Sequence, residues 1–172
     1  MIIHCTKKLA AKLPEVSASP LQEANTLGSW HANLYTIDHR QCLLLCHDTT
    51  RFALFIPGLK KADFQRFEFW FRDSLANTMM KLGYEHKLIL QAQIQIGKLR
   101  FDSHCDRSVL GSLNILRMYD LQGILMSVPN VMDLPMYSVS AQLCDRPTHV
   151  KGMKDSQYLW PAREMKNQLL AS

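Results

Sequence analysis

Histidine, asparagine and arginine side chains in two separated segments carry most of the chemical potential of this 172-residue chain. The first segment, GSWHANLYTIDHR, holds His31, Asn33 and Arg40; the second, DRSVLGSLN, holds Arg107, Ser108 and Asn114. His31 and Asn33 stand two apart in a strand-like run and therefore project to the same side. Asp106 is the expected N-cap of a helix that opens with Arg107 and Ser108. Free backbone N–H groups and the helix dipole favour anions there. Arginine adds a two-pronged donor for phosphate or carboxylate, and Gly111 has no side chain to keep a ligand or another backbone away. If the 107/111/114 face of the helix turns toward the strand, His31, Asn33, Arg40, Arg107, Ser108 and Asn114 converge on one anion-binding site. The plainer reading has His31 and Asn33 bonding turn backbone, Arg107 pairing with Asp102 or Asp106, and Gly111 acting as a helix-packing contact.

A catalytic version of the same site is a metal-independent ribonuclease of the toxin type. It needs a group titrating near neutrality, for which His31 is the candidate and His47 the substitute. It also needs cations to stabilise the phosphorane, and Arg40 and Arg107 are available. Metal ligation finds less support. His4–Cys5, Cys46–His47 and His104–Cys105 are adjacent pairs, and strand neighbours point to opposite faces. Three leucines fill the gap between Cys42 and Cys46, and no zinc-type spacing is present, so no metal or cofactor is expected. Cys105, beside His104 and a helix start, has the setting of a thiol with a lowered pKa, although a plain buried or exposed thiol fits as well.

These residues depend on the elements that position them. Residues 30–37, 42–46 and 52–56 read as three strands joined by the turn-like DHRQ and HDTT. Connections of about four residues favour antiparallel neighbours, since a parallel crossover needs about a dozen. Cys42–Cys46 is apolar at every position, as in a strand covered on both faces, and Pro57-Gly58 is expected to stop the third strand. Met1–Cys5 suits another strand, Thr6 an N-cap for a helix over 7–13, and residues 14–27 a loop.

Helices dominate the rest. Phe64, Phe67, Phe71, Leu75 and Met79 form one apolar stripe over 60–82, closed by Gly83. Further helices are expected over 85–96, 107–126 and 133–143, with 98–102 as an additional strand. Pro161 suits the first position of a last helix to Leu170, with Asp155 and Ser156 too far upstream to cap it. The expected fold is α+β, with an antiparallel sheet of four or five strands, a meander over 29–56, and the helices of 60–126 mainly on one face. One domain is expected over 1–172, with 127–172 as a looser C-terminal extension.

Composition narrows the class further. The 47% hydrophobic content argues against a disordered chain. The longest apolar run is far short of the ~20 residues that cross a bilayer, and the start MIIHCTKK lacks the order of a secretory signal. Five scattered cysteines suit reduced thiols in a cytoplasmic protein. The net charge of +5 is spread in singles and pairs. It permits nucleic acid as a partner without pointing to it.

The segments GSWHANLYTIDHRQC, RFALFIPGLKKADF and RSVLGSLN, after an opening with Met1, Ile2, Ile3, Cys5, Thr6, Lys8 and Leu9, resemble a bacterial family of domains of unknown function. The resemblance covers about residues 1–115. It implies a small cytoplasmic protein and brings no activity to transfer. The family pattern has Arg where this chain has His39. The expected function is therefore a non-catalytic binding or accessory module that recognises an anionic group or a protein partner, with the ribonuclease-like toxin as the alternative.

Overall fold

A computed structural model describes residues 1–150, 153–154 and 157–172. The strands are β1 (Ile2–Cys5), β2 (Trp30–Ile37), β3 (Arg40–His47), β4 (Ala53–Leu59) and β5 (Arg100–Asp102), in the spatial order β4-β3-β2-β1-β5. The meander β2-β3-β4 is antiparallel, as its short turns require. The sheet as a whole is mixed, because β1 runs parallel to both β2 and β5. An all-antiparallel sheet is thus corrected. Long connections, 24 residues from Cys5 to Trp30 on the numbering, leave room for parallel pairing.

β4 does not stop at Pro57-Gly58 but runs on to Leu59. Gln41 pairs with Leu59 and Leu43 with Ile56, so β4 carries an extra residue there. Gly58 takes φ +73°, the freedom a bulge needs. The outer edge of β4 is covered by α7 (Met136–Cys144): Ser140 Oγ accepts from Phe55 N–H at 2.9 Å and Cys144 Sγ from Ala53 N–H at 3.1 Å. Two strand residues span about 6.8 Å and four helical ones about 6.0 Å, so a serine and a cysteine four apart match two ladder donors two apart.

The expected helix over 60–82 breaks into α2 (Lys61–Phe64) and α3 (Phe67–Lys81), with the phenylalanine stripe buried as its spacing predicts. α4 (His86–Ile96) matches its expectation almost residue for residue. α1 is shorter than expected, Lys7–Ala10, and Thr6 makes no side-chain cap; its hydroxyl donates to Asn33 Oδ1 instead. α5 (Arg107–Ile115), a π-helical turn (Leu116–Asp120) and α6 (Leu121–Leu125) follow one another as a continuous rod. α8 (Pro161–Ala171) begins at its proline, while Asp155 and Ser156 lie outside the described residues.

Trp30 and His31, neighbours on β2, show how the helices divide. Trp30 packs edge-on against Phe71 of α3 at 5.2 Å between ring centroids. His31 faces the other way and meets the residue that begins α5. The helices of 60–126 therefore meet both faces rather than one, as an apolar run such as Cys42–Cys46, buried throughout, requires.

Candidate functional site

The parallel register places His4 of β1 beside His31 of β2 on one side and Asp102 of β5 on the other. All three share a face, and the two imidazole rings stand 4.8 Å apart. Asp48, just beyond β3, reaches back toward them. His31 Nδ1 donates to Asp48 Oδ1 at 2.6 Å, and His4 Nδ1 donates to Asp102 Oδ1 at 2.7 Å. Two histidine–aspartate pairs thus lie side by side.

The two histidines differ in what remains free. His31 is buried, and its Nε2 accepts the Asp106 N–H at 2.6 Å, so both ring nitrogens are engaged. That bond ties the start of α5 to the sheet. His4 keeps Nε2 without a hydrogen bond, 4.0 Å from Asp48 Oδ2, with its side chain 14% exposed. Its Asp102 partner fixes the ring with the proton on Nδ1 and the lone pair on Nε2.

Both carboxylates are held ionised. Burial alone raises a carboxyl pKa; at Asp48 the hydrogen bonds from the His31 ring and the Ser29 hydroxyl outweigh it. At Asp102 burial is outweighed by Leu21 N–H, the His4 ring and His104 N–H, so the pKa again falls below 3.8. Cys105 behaves in the opposite way to the sequence expectation. Burial, then the charges of Asp102 and Asp48, push its thiol up to about 11. His47, the other candidate base, is buried on the Trp30 side with both nitrogens bonded, to Thr50 and to Leu27 O; burial lowers its pKa to about 4.

Beside these pairs lies a cation that the sequence pattern did not reveal. Arg51 sits in the turn between β3 and β4 at φ +59°, only 7% exposed. Its Nη2 donates to Ser108 Oγ at 3.2 Å, while Nε and Nη1 have no hydrogen-bond partner among the described residues. The α5 start that it faces is capped by Asp106, whose carboxylate accepts from Ser108 and Val109 N–H.

Of the six expected site residues, His31, Arg107 and Ser108 come together at the α5 start. Asn33 shares the face of His31 but is bonded to Thr6. Arg40 does not join them: it is exposed and pairs with Ile37 at the far end of β2, about 20 Å along the strand from His31. Asn114 is exposed too, because α5 turns Val109 and Leu113 inward and leaves Arg107, Gly111 and Asn114 outside. Nothing comes within 4 Å of a Cβ built at Gly111, so it is not a packing contact.

Concavities of about 620 and 610 Å³ lie elsewhere, one lined by residues including Thr49, Tyr158 and Gln168, the other by His86, Leu90 and Ile94 among others. Among the described residues no cluster of three or more histidine, cysteine or acidic side chains is arranged for a metal ion.

The family described as "Domain of unknown function (DUF6933)" matches residues 2–164. The chain belongs to this family. The match runs well past the 1–115 region of the resemblance, into α8, so α7 and the β4 edge it covers are part of the family pattern. No curated protein and no solved structure matches the chain. Among the described residues no helix is long and apolar enough to cross a membrane.

Proposed function

We propose that this protein is a non-catalytic binding module that recognises an anionic group, free or carried by a protein partner, at the start of α5. The observation that carries the reading is Arg51: a nearly buried guanidinium with two nitrogens unpartnered. Leaving a buried charge without a counter-charge costs about 3–5 kcal/mol. An arginine held in the left-handed region adds about 1–3 kcal/mol of strain, which persists where the surrounding structure or function requires it. A phosphate or carboxylate supplies the missing charge and accepts from a free N–H of the guanidinium. Ser108 offers a hydroxyl that turns to donate, and Arg107 lies exposed one residue away. Asp48, His31 and the Asp106 N–H hold the helix start in place around it. Titrating phosphate into protein carrying ¹⁵N-labelled arginine tests this: the Arg51 Nε–H resonance moves with saturation, and an unmoved resonance contradicts it.

A second reading, acid–base cleavage of RNA, is favoured by one observation, the unbonded Nε2 of His4. Since both nitrogens of His31 are taken, the base is His4: the 2′-oxygen attacks phosphorus as its proton passes to Nε2, the P–O5′ bond breaks, and the leaving 5′-oxygen takes that proton back from the imidazolium that Asp102 steadies. RNA cleavage or growth arrest that His4→Ala abolishes without unfolding the protein favours this reading; loss with Arg51→Met alone does not.

A further inference from the structure

We infer that the hollow between the end of α1, β3 and the start of α2 is a second ligand site, and that it takes a nucleoside diphosphate. The hollow has a volume of about 350 Å³ and is lined by Ala11, Lys12, Gln41, Leu59, Lys61 and Phe64. That volume lies in the range of small-ligand pockets. Gln41 and His47 stand near opposite ends of β3, about 20 Å apart, and Arg51 follows the His47 end. The hollow is therefore remote from the α5 start, and the inference goes beyond the anion reading.

The lining carries an unsatisfied acceptor. Gln41 Oε1 is shut off from water and has no hydrogen-bond donor among the described residues. A buried carbonyl of this kind is destabilising until an N–H or O–H reaches it. Gln41 pairs with Leu59 beside the β4 bulge, and bulges recur where a strand is re-aimed next to a site. Leu59 and Phe64, both buried, give the hollow an apolar, partly aromatic floor.

Charge at the hollow is of one sign. Lys12 and Lys61 are exposed, and neither joins an ion pair among the described residues. Lys60 is exposed beside Lys61, and Lys8 donates to Thr36, the cross-strand partner of Gln41. Among the described residues no acidic side chain lines the hollow. Asp63 is already engaged, accepting from Lys60 N–H and Trp70 Nε1–H. A free phosphate answers only the lysines, and a sugar phosphate leaves the apolar floor bare. A nucleoside diphosphate meets all three features: a base N–H for Gln41, a flat apolar ring for the floor, and two phosphates for the cations.

Isothermal titration calorimetry with ADP, GDP, CDP and UDP, and with pyrophosphate as the charge alone, tests the site. At least one nucleotide is expected to bind at least tenfold more tightly than pyrophosphate. Gln41→Leu replaces an unpaired carbonyl by an apolar group, and Lys12→Ala with Lys61→Ala alters side chains already in water. Both proteins are expected to melt at the wild-type temperature or above it. Each is expected to weaken the nucleotide at least tenfold, while Arg51→Met leaves it unchanged, which separates this site from the α5 start. An absence of nucleotide binding, or binding no tighter than that of pyrophosphate, overturns the inference. So does nucleotide binding that Gln41→Leu and the lysine pair leave intact, or that Arg51→Met abolishes.

Discussion

Arg51 Nη2 and Ser108 Oγ meet at 3.2 Å, joining the β3–β4 turn to the first turn of α5 across 57 residues of sequence. The bond satisfies one nitrogen of a guanidinium whose other two have no partner among the described residues. Removing its acceptor and removing the charge itself therefore have opposite consequences. Ser108→Ala is expected to cost about 1–3 kcal/mol, because a third buried donor loses its partner. Arg51→Met, in buffer without oxyanions, is expected to be neutral or stabilising, since an apolar chain of similar length replaces an uncompensated charge. Urea denaturation of the two variants checks both signs.

His47 sets a pH dependence of its own. Burial lowers its pKa to about 4, whereas the unfolded chain titrates near 6.5. Between those values the unfolded state binds the extra proton, so stability is complete above about pH 6.5 and falls as pH drops toward 4. About 2 kcal/mol is expected to be lost between pH 6.5 and 5. His47→Gln, measured by urea denaturation at the same two pH values, is expected to flatten that part of the profile. An equal slope in the variant contradicts the assignment.

Asp102 acts in a lower window. It is fully buried and accepts from His4, His104 N–H and Leu21 N–H, with its pKa held below 3.8. Its contribution is present above the unfolded value and is lost as pH falls through the depressed folded value. Asp102→Asn keeps the shape but removes the charge and one acceptor. A loss of about 1–3 kcal/mol at pH 7 is expected. The His4 ring signals in an NMR spectrum should shift at the same time, as its partner is no longer a carboxylate.

Gly58 is expected to tolerate alanine poorly for a backbone reason rather than a packing one. A Cβ there runs into the Met132 thioether, but Met132 is half exposed and can swing away. The φ of +73° cannot be relieved so easily. Gly58→Ala should cost about 1 kcal/mol or more, and adding Met132→Ala should restore only a minor part. Full recovery in the double variant would assign the cost to the thioether instead.

The meander was legible because its signals are local. DHRQ and HDTT are turns, and the runs between them have strand lengths and apolar content that no helix of that size shows. The phenylalanine stripe of α3, the Asp106 cap and Pro161 were legible for the same reason. β1 and β5 resisted, since the parallel pairing of Ile2–Cys5 with residues 30 and 100 depends on the long connections between them. The break between α2 and α3 leaves no proline or glycine behind to signal it.

The candidate site was half legible. His31, Arg107 and Ser108 stood out by type and place, and they do gather at one helix start. His4 and Asp102 are 98 residues apart, and only the parallel register brings them together. Arg51 looked like an ordinary charge at the head of a strand; nothing local says that the first turn of α5 meets it. Arg40 and Asn114 were drawn in by composition and by an assumed helix rotation, and the burial of Val109 and Leu113 settles that rotation the other way.

The anion reading is tested most directly by thermal unfolding of wild type and Arg51→Met in chloride and in phosphate, at pH 7 and matched ionic strength. Phosphate stabilises many proteins weakly by exclusion from their surfaces, so the variant is the necessary reference. At a hundredfold excess over its dissociation constant, a bound anion adds about 2.7 kcal/mol, several degrees for a chain of this size. The wild-type midpoint is expected to rise by that amount beyond any rise in Arg51→Met, with sulfate or acetate substituting if the group is not phosphate. Equal rises in the two proteins, or no specific rise with any of the three anions, contradict the account.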